Sequence, residues 1–218
     1  MYVNGLKNVF NLSLISCDNL EDISGLGNHH EITIDNFPSF VKGLECLYNV
    51  PIVTFGRVDI SDFIAGPKLR KLSLTFCRCS KRIDFDSWSH LKELKFSLFS
   101  YPFPIDYYSL RNIPRLSLLD ISQFDNLPQM TGNHDFVALG PVSTMIQDFT
   151  FLRYARSIEL EYHPQPFSCD KFQYVVSLKI SNFGQILNLG FCRSLQYCTF
   201  IYQIVILIIS MDYSRFTR

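Results

Sequence analysis

Histidine and cysteine are the side chains of this chain best suited to metal binding or nucleophilic chemistry, and their spacing suits neither task. His29 and His30 are adjacent, so on a strand they would point to opposite faces. The other histidines are scattered, at His90, His134 and His163. Cys77 and Cys79 are one residue apart, and no second pair with zinc-ligand spacing accompanies them. We expect solvated histidines, cysteines that pack as small apolar residues, and no metal or cofactor.

Motifs of known enzyme chemistry are also missing from the sequence. It contains no H-E-x-x-H, no G-x-S-x-G and no G-x-x-x-x-G-K-[ST] segment. Lysine plus arginine equals aspartate plus glutamate, at 20 each, so no net charge draws the chain towards nucleic acid or an anionic membrane. The sequence predicts that the protein is not an enzyme, and it favours a protein partner over nucleic acid or membrane.

The strongest pattern in the chain is a ladder of apolar residues with unequal steps. Its first copy has successive steps of 3, 3, 2, 3, 3, 3 and 3 residues, at Leu6, Val9, Leu12, Leu14, Cys17, Leu20, Ile23 and Leu26. The two-residue step places both leucines on one side of a short strand. The three-residue steps are typical of a turning backbone that points one apolar residue inward at each bend. Such a coil buries its apolar edge only against another coil.

The ladder recurs along the whole chain. Its first strand residues stand at Leu12, Ile32, Val53, Leu72, Leu94, Leu119, Ile158, Leu178 and Cys198. The interval of 39 residues between Leu119 and Ile158 is nearly twice the others, and Val137-Ala138-Leu139 supplies a repeat within it. Nine intervals from position 12 to position 198 average about 21 residues. The sequence therefore predicts ten repeats, each with one strand of a parallel sheet. The strand of the sixth repeat is predicted to be centred on Asp120.

The repeats resemble those of the leucine-rich-repeat family, L-x-x-L-x-L-x-x-N/C-x-L, over about residues 6–200. Cys17 and Cys77 stand at the N/C position, and Phe99, Phe124 and Phe183 replace it elsewhere. The resemblance implies an α/β-class leucine-rich-repeat solenoid, right-handed, with a curved parallel sheet on the concave face and a 3₁₀ or irregular convex side. It implies a single domain over residues 1–218, irregular at 127–150 and with an apolar terminal segment at 200–211.

The resemblance also implies a role, because curved solenoids usually bind proteins on their concave sheet. Residues that flank each inward pair point outward, and the middle outward column changes from hydroxyls at Ser13, Thr33, Thr54 and Ser73 to charges further on. Charges of both signs favour specific recognition. We predict a binding site at Lys71, Glu93, Lys95, Asp120 and Glu159.

Two alternatives stay open beside this protein–protein interaction module. One is a substrate-recognition fragment of a larger assembly, such as a ubiquitin-ligase receptor or a signalling scaffold. The other is a membrane-anchored surface recognition protein, which rests on the apolar run Ile204–Ile209. The chain opens without a secretory signal, so we expect a cytoplasmic or nuclear protein. Its ends look uncapped, and we expect self-association through them.

Overall fold

A computed structural model describes residues 6, 9–37, 41–98, 101–119, 127–141, 146, 149–163, 172–183 and 192–201. The chain divides into two compact units, Met1–Ile113 and Pro114–Arg218, which are taken separately below. The single domain expected over residues 1–218 stays a prediction. Most of the apolar terminal segment, including Ile204–Ile209, lies outside the described residues.

Five parallel strands form the sheet of the first unit. They are β1 (Asn11–Ile15), β2 (Glu31–Asp35), β3 (Ile52–Gly56), β4 (Lys71–Cys77) and β5 (Glu93–Leu98). Each strand pairs in parallel with the next in chain order. Every connection therefore returns the chain to the end of the sheet where the previous strand began. The register is regular up to Leu74 and shifts between Leu74 and Cys77, where β4 meets β5.

Five more parallel strands form the sheet of the second unit. They are β6 (Arg115–Leu118), β7 (Phe136–Pro141), β8 (Ser157–His163), β9 (Ser177–Phe183) and β10 (Tyr197–Ile201). They too pair in chain order. A register shift between Leu139 and Pro141 falls within residues 127–150, the stretch expected to be irregular.

The inward pair of each strand forms the core, as the two-residue step predicts. In the first unit Ile32, Val53, Leu74 and Leu94 are fully buried, and so are the rings of Phe55 and Phe96. In the second unit the buried residues of this class are Leu116, Leu118, Val137, Leu139, Ile158, Leu160, Leu178 and Ile180. Among the described inward residues, the pattern fails at Leu12 in β1, which is half-buried, and at Cys198 in β10, which is exposed. Each of these two strands pairs with one other described strand of its unit.

Short 3₁₀ turns return the chain between strands. They span Leu44–Asn49, Phe85–Trp88, Leu127–Met130 and Thr150–Leu152, and a single α-helical turn, α1, spans Tyr107–Leu110. Hydrogen bonds between residues three apart explain the three-residue steps: the Leu20 N–H donates to the Cys17 carbonyl at 2.9 Å. Leu20 itself is buried. Among the described residues, none of the helices combines the length and the apolar character that crossing a membrane requires.

The sixth repeat corrects the predicted phase. Its strand is Arg115–Leu118 and its centre is Ser117, which pairs with Ala138, whereas the sequence pattern placed the centre at Asp120. The segment fits L-x-x-L-x-L in two frames, starting at Ile113 or at Leu116. The observed frame begins three residues earlier, at Ile113, and gives intervals of 22 (94 to 116) and 21 (116 to 137) instead of 25 and 18. Equal coil lengths let neighbouring coils stack in register.

Candidate functional site

The outward face of the first unit carries the predicted column of hydroxyl groups. Ser13, Thr33, Thr54 and Ser73 lie opposite one another on successive strands, and Lys95 follows on β5. The three central hydroxyl residues are partly exposed, while Lys95 is exposed. Parallel in-register pairing spaces these side chains about 4.8 Å apart from strand to strand. The result is a polar surface that solvent and a partner can reach.

Two of the predicted binding residues form an ion pair with each other. The Lys71 ammonium lies 3.3 Å from the Glu93 carboxylate, and the two residues are in register on β4 and β5. Their side chains are 54% and 41% exposed, so water screens the attraction and the pair stabilises the fold by about 1 kcal/mol at most. Lys95 lies on the same strand as Glu93, two residues along. The first unit thus brings Lys71, Glu93 and Lys95 together.

The other two predicted residues, Asp120 and Glu159, belong to the second unit of the chain. Glu159 lies in the second unit, where its carboxylate is 3.3 Å from the ammonium of Lys179. Lys179 was not among the predicted binding residues, although opposite charges at facing strand positions were a visible signal. Asp120 lies outside the described residues, and Ser117 occupies the central outward position assigned to it.

Left-handed residues follow β1, β2 and β3 directly, and a fourth is the next-to-last residue of β4. Ser16, Asn36, Arg57 and Phe76 have φ angles of 53°, 60°, 52° and 52°. This conformation is accessible to asparagine but disfavours a bulky side chain. It turns the chain sharply, so that the next residue points inward. Cys77, which follows Phe76, is fully buried for this reason.

A groove lies on the outward face at the ends of β2, β3 and β4. Its volume is about 290 Å³, and its lining includes Thr33, Asp35, Thr54, Gly56, Arg57, Thr75 and Phe76. The Arg57 guanidinium donates to both oxygens of Asp35, at 3.1 and 2.9 Å. Gly56 leaves room for this carboxylate, because a Cβ atom there would lie 2.3 Å from Asp35 Oδ1. A missing side chain therefore creates the floor of the groove.

Phe76 stands at the rim of this groove with its ring 50% exposed. Its backbone N–H donates to the Ser97 hydroxyl at 3.4 Å, which helps to hold the turn. The sequence pattern did not single out this residue. The available signal was its place directly before Cys77, since a residue that precedes an inward side chain at the turn has to point outward.

The cysteine at the N/C position supports the turn, as the family resemblance implied. Cys77 Sγ donates to the Phe55 carbonyl of the preceding coil at 3.4 Å. Burial raises the pKa of this thiol to about 11 from its ordinary value of 9.0. Cys17 makes a weaker contact, 3.6 Å from the Ile15 carbonyl, and is half-buried. The buried Cys77 is therefore a structural thiol.

Two of the histidines correct the expectation that they would be solvated, whereas His30 is exposed. His29 and His134 are buried, and the Nδ1 atom of His29 contacts the Val9 carbonyl. His134 Nε2 lies 3.1 Å from the Met130 carbonyl, and His90 Nε2 lies 3.0 Å from the Gly66 carbonyl. These rings hold turns together. Among the described residues, no group of three or more histidine, cysteine or acidic side chains is arranged to bind a metal ion.

Comparisons with known proteins identify the fold. No protein-family model matches the sequence, and a comparison with curated proteins gives no match. The functional domain of InlJ from Listeria monocytogenes, which includes a cysteine ladder, aligns with a TM-score of 0.54 and 10% identity over 94% of this chain and 57% of that one. An internalin, inlF from Listeria monocytogenes str. 4b F2365, aligns with a TM-score of 0.51 and 15% identity over 93% and 72%.

The predicted leucine-rich-repeat fold is therefore confirmed. At these identities the similarity establishes the fold alone. The chain spans little more than half the length of the InlJ domain.

Proposed function

We propose that this chain is a non-catalytic protein-interaction module that binds a protein partner through the outward face of its first unit, with Phe76 as the anchor. Internalin-like repeat structures suggest such a role at the level of the fold. The groove beside Phe76 adds a shaped and polar surface to it. An apolar anchor next to hydrogen-bonding groups is the usual composition of an interface centre.

The conformation and exposure of Phe76 carry the proposal. Its left-handed backbone costs about 1 kcal/mol relative to the right-handed region, and its half-exposed ring buries little apolar area in return. A residue that weakens the fold in both respects is a candidate for a function outside the fold. The Arg57–Asp35 pair beside it offers a fixed donor and acceptor to a partner's backbone.

Affinity capture with the full chain tests the proposal. Wild-type protein and Phe76→Asn are used as baits, and the captured proteins are compared by quantitative mass spectrometry. Asparagine accepts the left-handed backbone, so the variant keeps its fold. We expect the specific partner to be reduced about tenfold or more, since a buried aromatic anchor contributes about 2 kcal/mol or more to binding.

Ile64→Asn is the matched control, because Ile64 is 56% exposed and lies in the connection between β3 and β4. We expect it to capture the partner as the wild type does. Equal loss with both variants would indicate non-specific adhesion through apolar surface, and unchanged capture with Phe76→Asn would contradict the proposal.

The predicted charged residues are tested by exchanging them. The double variant Lys71→Glu with Glu93→Lys keeps the ion pair and the net charge but reverses what each position presents to a partner. We expect weaker capture with this variant and with Lys95→Glu, because complementary charges set register and specificity. Glu159→Lys and Asp120→Lys report whether the binding face includes those two positions.

A further inference from the structure

The second unit carries an exposed cluster of arginine and tyrosine on the turns that precede β8, β9 and β10. We define the arginine–tyrosine patch as Arg153, Tyr154, Arg156, Tyr174 and Arg193, all of which are exposed. Backbone hydrogen bonds hold these turns in register. The Val176 N–H, for example, donates to the Arg156 carbonyl at 2.8 Å. The patch is therefore a fixed surface at the N-terminal ends of β8, β9 and β10.

The two tyrosines form a platform within the patch. Their rings stack with centroids 5.9 Å apart and an interplanar angle of 29°. Tyr154 is 39% exposed and Tyr174 is 56% exposed. The Arg153 guanidinium lies 4.5 Å from the centroid of the Tyr154 ring, which fixes its position by a cation–π contact. Beside the platform lies a concavity of about 370 Å³ lined by Asn133, His134, Asp135, Tyr154, Arg156 and Tyr174.

The charge of these turns has one predominant sign. Within residues 114–115, 133–136, 153–157, 173–177 and 193–197 there are four arginines, and Asp135 is the single acidic residue. Across the described part of the chain, Arg156 and Arg193 form no ion pair. All four basic residues are arginine, whose planar group binds a carboxylate through two parallel hydrogen bonds. An anionic partner would complement this charge.

The distance between Arg153 and Arg193 indicates what kind of chain would carry the anionic groups. Arg153 and Arg193 each stand four residues before a first strand residue, Ser157 or Tyr197, and Ser177 pairs with both. They are therefore two coils apart, or about 10 Å at the usual strand spacing. A peptide in the polyproline II conformation has three residues per turn and advances about 3.1 Å per residue, so carboxylates three residues apart lie on one side and about 9 Å apart. Tyr174 stands on the coil between the two arginines, stacked on Tyr154, and would contact the intervening side chains.

We propose that the arginine–tyrosine patch binds an acidic segment of a partner protein in the polyproline II conformation, with acidic residues at positions i and i+3 and apolar residues between them. Nucleic acid fits less well, because the inner faces of the tyrosine rings are already stacked on each other and leave no slot for a base. This site is independent of the groove at Phe76 and requires no partner in common with it.

Fluorescence anisotropy with the full chain tests this site. The probe is a labelled synthetic peptide with the sequence Glu-Leu-Pro-Glu at its centre. We expect saturable binding that weakens as salt is added. The double variant Arg153→Gln with Arg193→Gln should weaken binding about tenfold or more, since two charge-assisted contacts are lost. Tyr174→Ala should also weaken it, whereas Tyr174→Phe, which keeps the ring, should bind like the wild type.

Three controls make the outcome decisive. Lys92→Gln removes an exposed charge from the equivalent turn of the first unit and should leave binding unchanged. A peptide of the same composition with its two glutamates adjacent should bind more weakly than the probe. A short oligothymidylate should bind more weakly still.

Equal binding of the two peptides, equal loss with Lys92→Gln, or tighter binding of the oligonucleotide would each overturn the proposal. Unchanged binding by the arginine double variant would also overturn it. Thermal unfolding of each variant checks that these exposed substitutions leave the fold intact.

Discussion

The strands of the two units end in different ways, although both units are built from the same repeat. In the first unit β1, β2 and β3 have five residues each, and a left-handed residue follows each strand. In the second unit β8 and β9 continue for seven residues, and His163 still pairs with Phe183. Among the described residues, all non-glycine residues with positive φ lie in the first unit. A sharp turn exposes the turning side chain, whereas a continued strand keeps the alternation, so the same repeat yields two kinds of surface.

The largest expected effect tests what the units share. Leu72→Ala in the first unit and Leu160→Ala in the second each remove a buried side chain from between two neighbouring strands. Each should lower the free energy of unfolding by about 2–5 kcal/mol, measured by urea denaturation. Lys95→Ala serves as the exposed control and should change it by about 0.5 kcal/mol or less. Similar losses in all three variants would show that inward and outward positions are wrongly assigned.

The next effect concerns the thiol behind the sharp turn. Burial holds the folded-state pKa of Cys77 at about 11, whereas the unfolded thiol ionises near 9.0. Its contribution to stability is therefore fully present below pH 9 and is lost as the pH rises to about 11. The loss should reach about 2–3 kcal/mol, from two units at 1.36 kcal/mol each. Cys77→Val should lose correspondingly less stability over this pH range. The free energy of unfolding is measured by denaturation at successive pH values. An identical pH profile in the variant would contradict this assignment.

Substitution by glycine should change the free energy of unfolding in opposite directions at a left-handed position of the first unit and within a continued strand of the second. Phe76→Gly relieves a left-handed backbone and should raise the free energy of unfolding by up to about 1 kcal/mol. Asn182→Gly places glycine within β9 and should lower it by about 0.5–1 kcal/mol. Both are measured by thermal and urea denaturation. Changes of the same sign would remove the distinction between the units.

The smallest effect is expected from two matched surface ion pairs, one taken from each unit. Lys71–Glu93 and Glu159–Lys179 have the same separation, and their side chains are similarly exposed. A double-mutant cycle on either pair should give a coupling energy of about 0.2–1 kcal/mol that falls as salt is added. A larger coupling in one pair would mark that pair as part of a wider charge network.

Repetition decided how much of this molecule could be predicted from its sequence. Inward residues such as Leu72 and Leu94 were predictable because neighbouring coils impose the same environment at equal intervals. Ser117 was not, because overlapping apolar frames are equivalent until coil lengths are compared in three dimensions. Tyr154 and Tyr174 stand on turns, and Phe76 stands at a left-handed position near the end of β4. At such positions the backbone angle and not the apolar period decides which way a side chain points. The pairing of Lys71 with Glu93 followed from the register, whereas their role in binding stays a prediction.

The overlapping frames of the sixth repeat also bear on how the chain folds. Before neighbouring coils are in place, Ile113, Leu116 and Leu118 compete with Leu116, Leu119 and Ile121 for the same strand position. The two alternatives differ by a slip of three residues, so we expect a misregistered state to slow folding until neighbouring coils correct it. Leu119→Ser weakens the competing frame and leaves the native inward pair intact. Stopped-flow refolding of this variant should show a faster or single phase, and an unchanged time course would mean that the register is set before this coil forms.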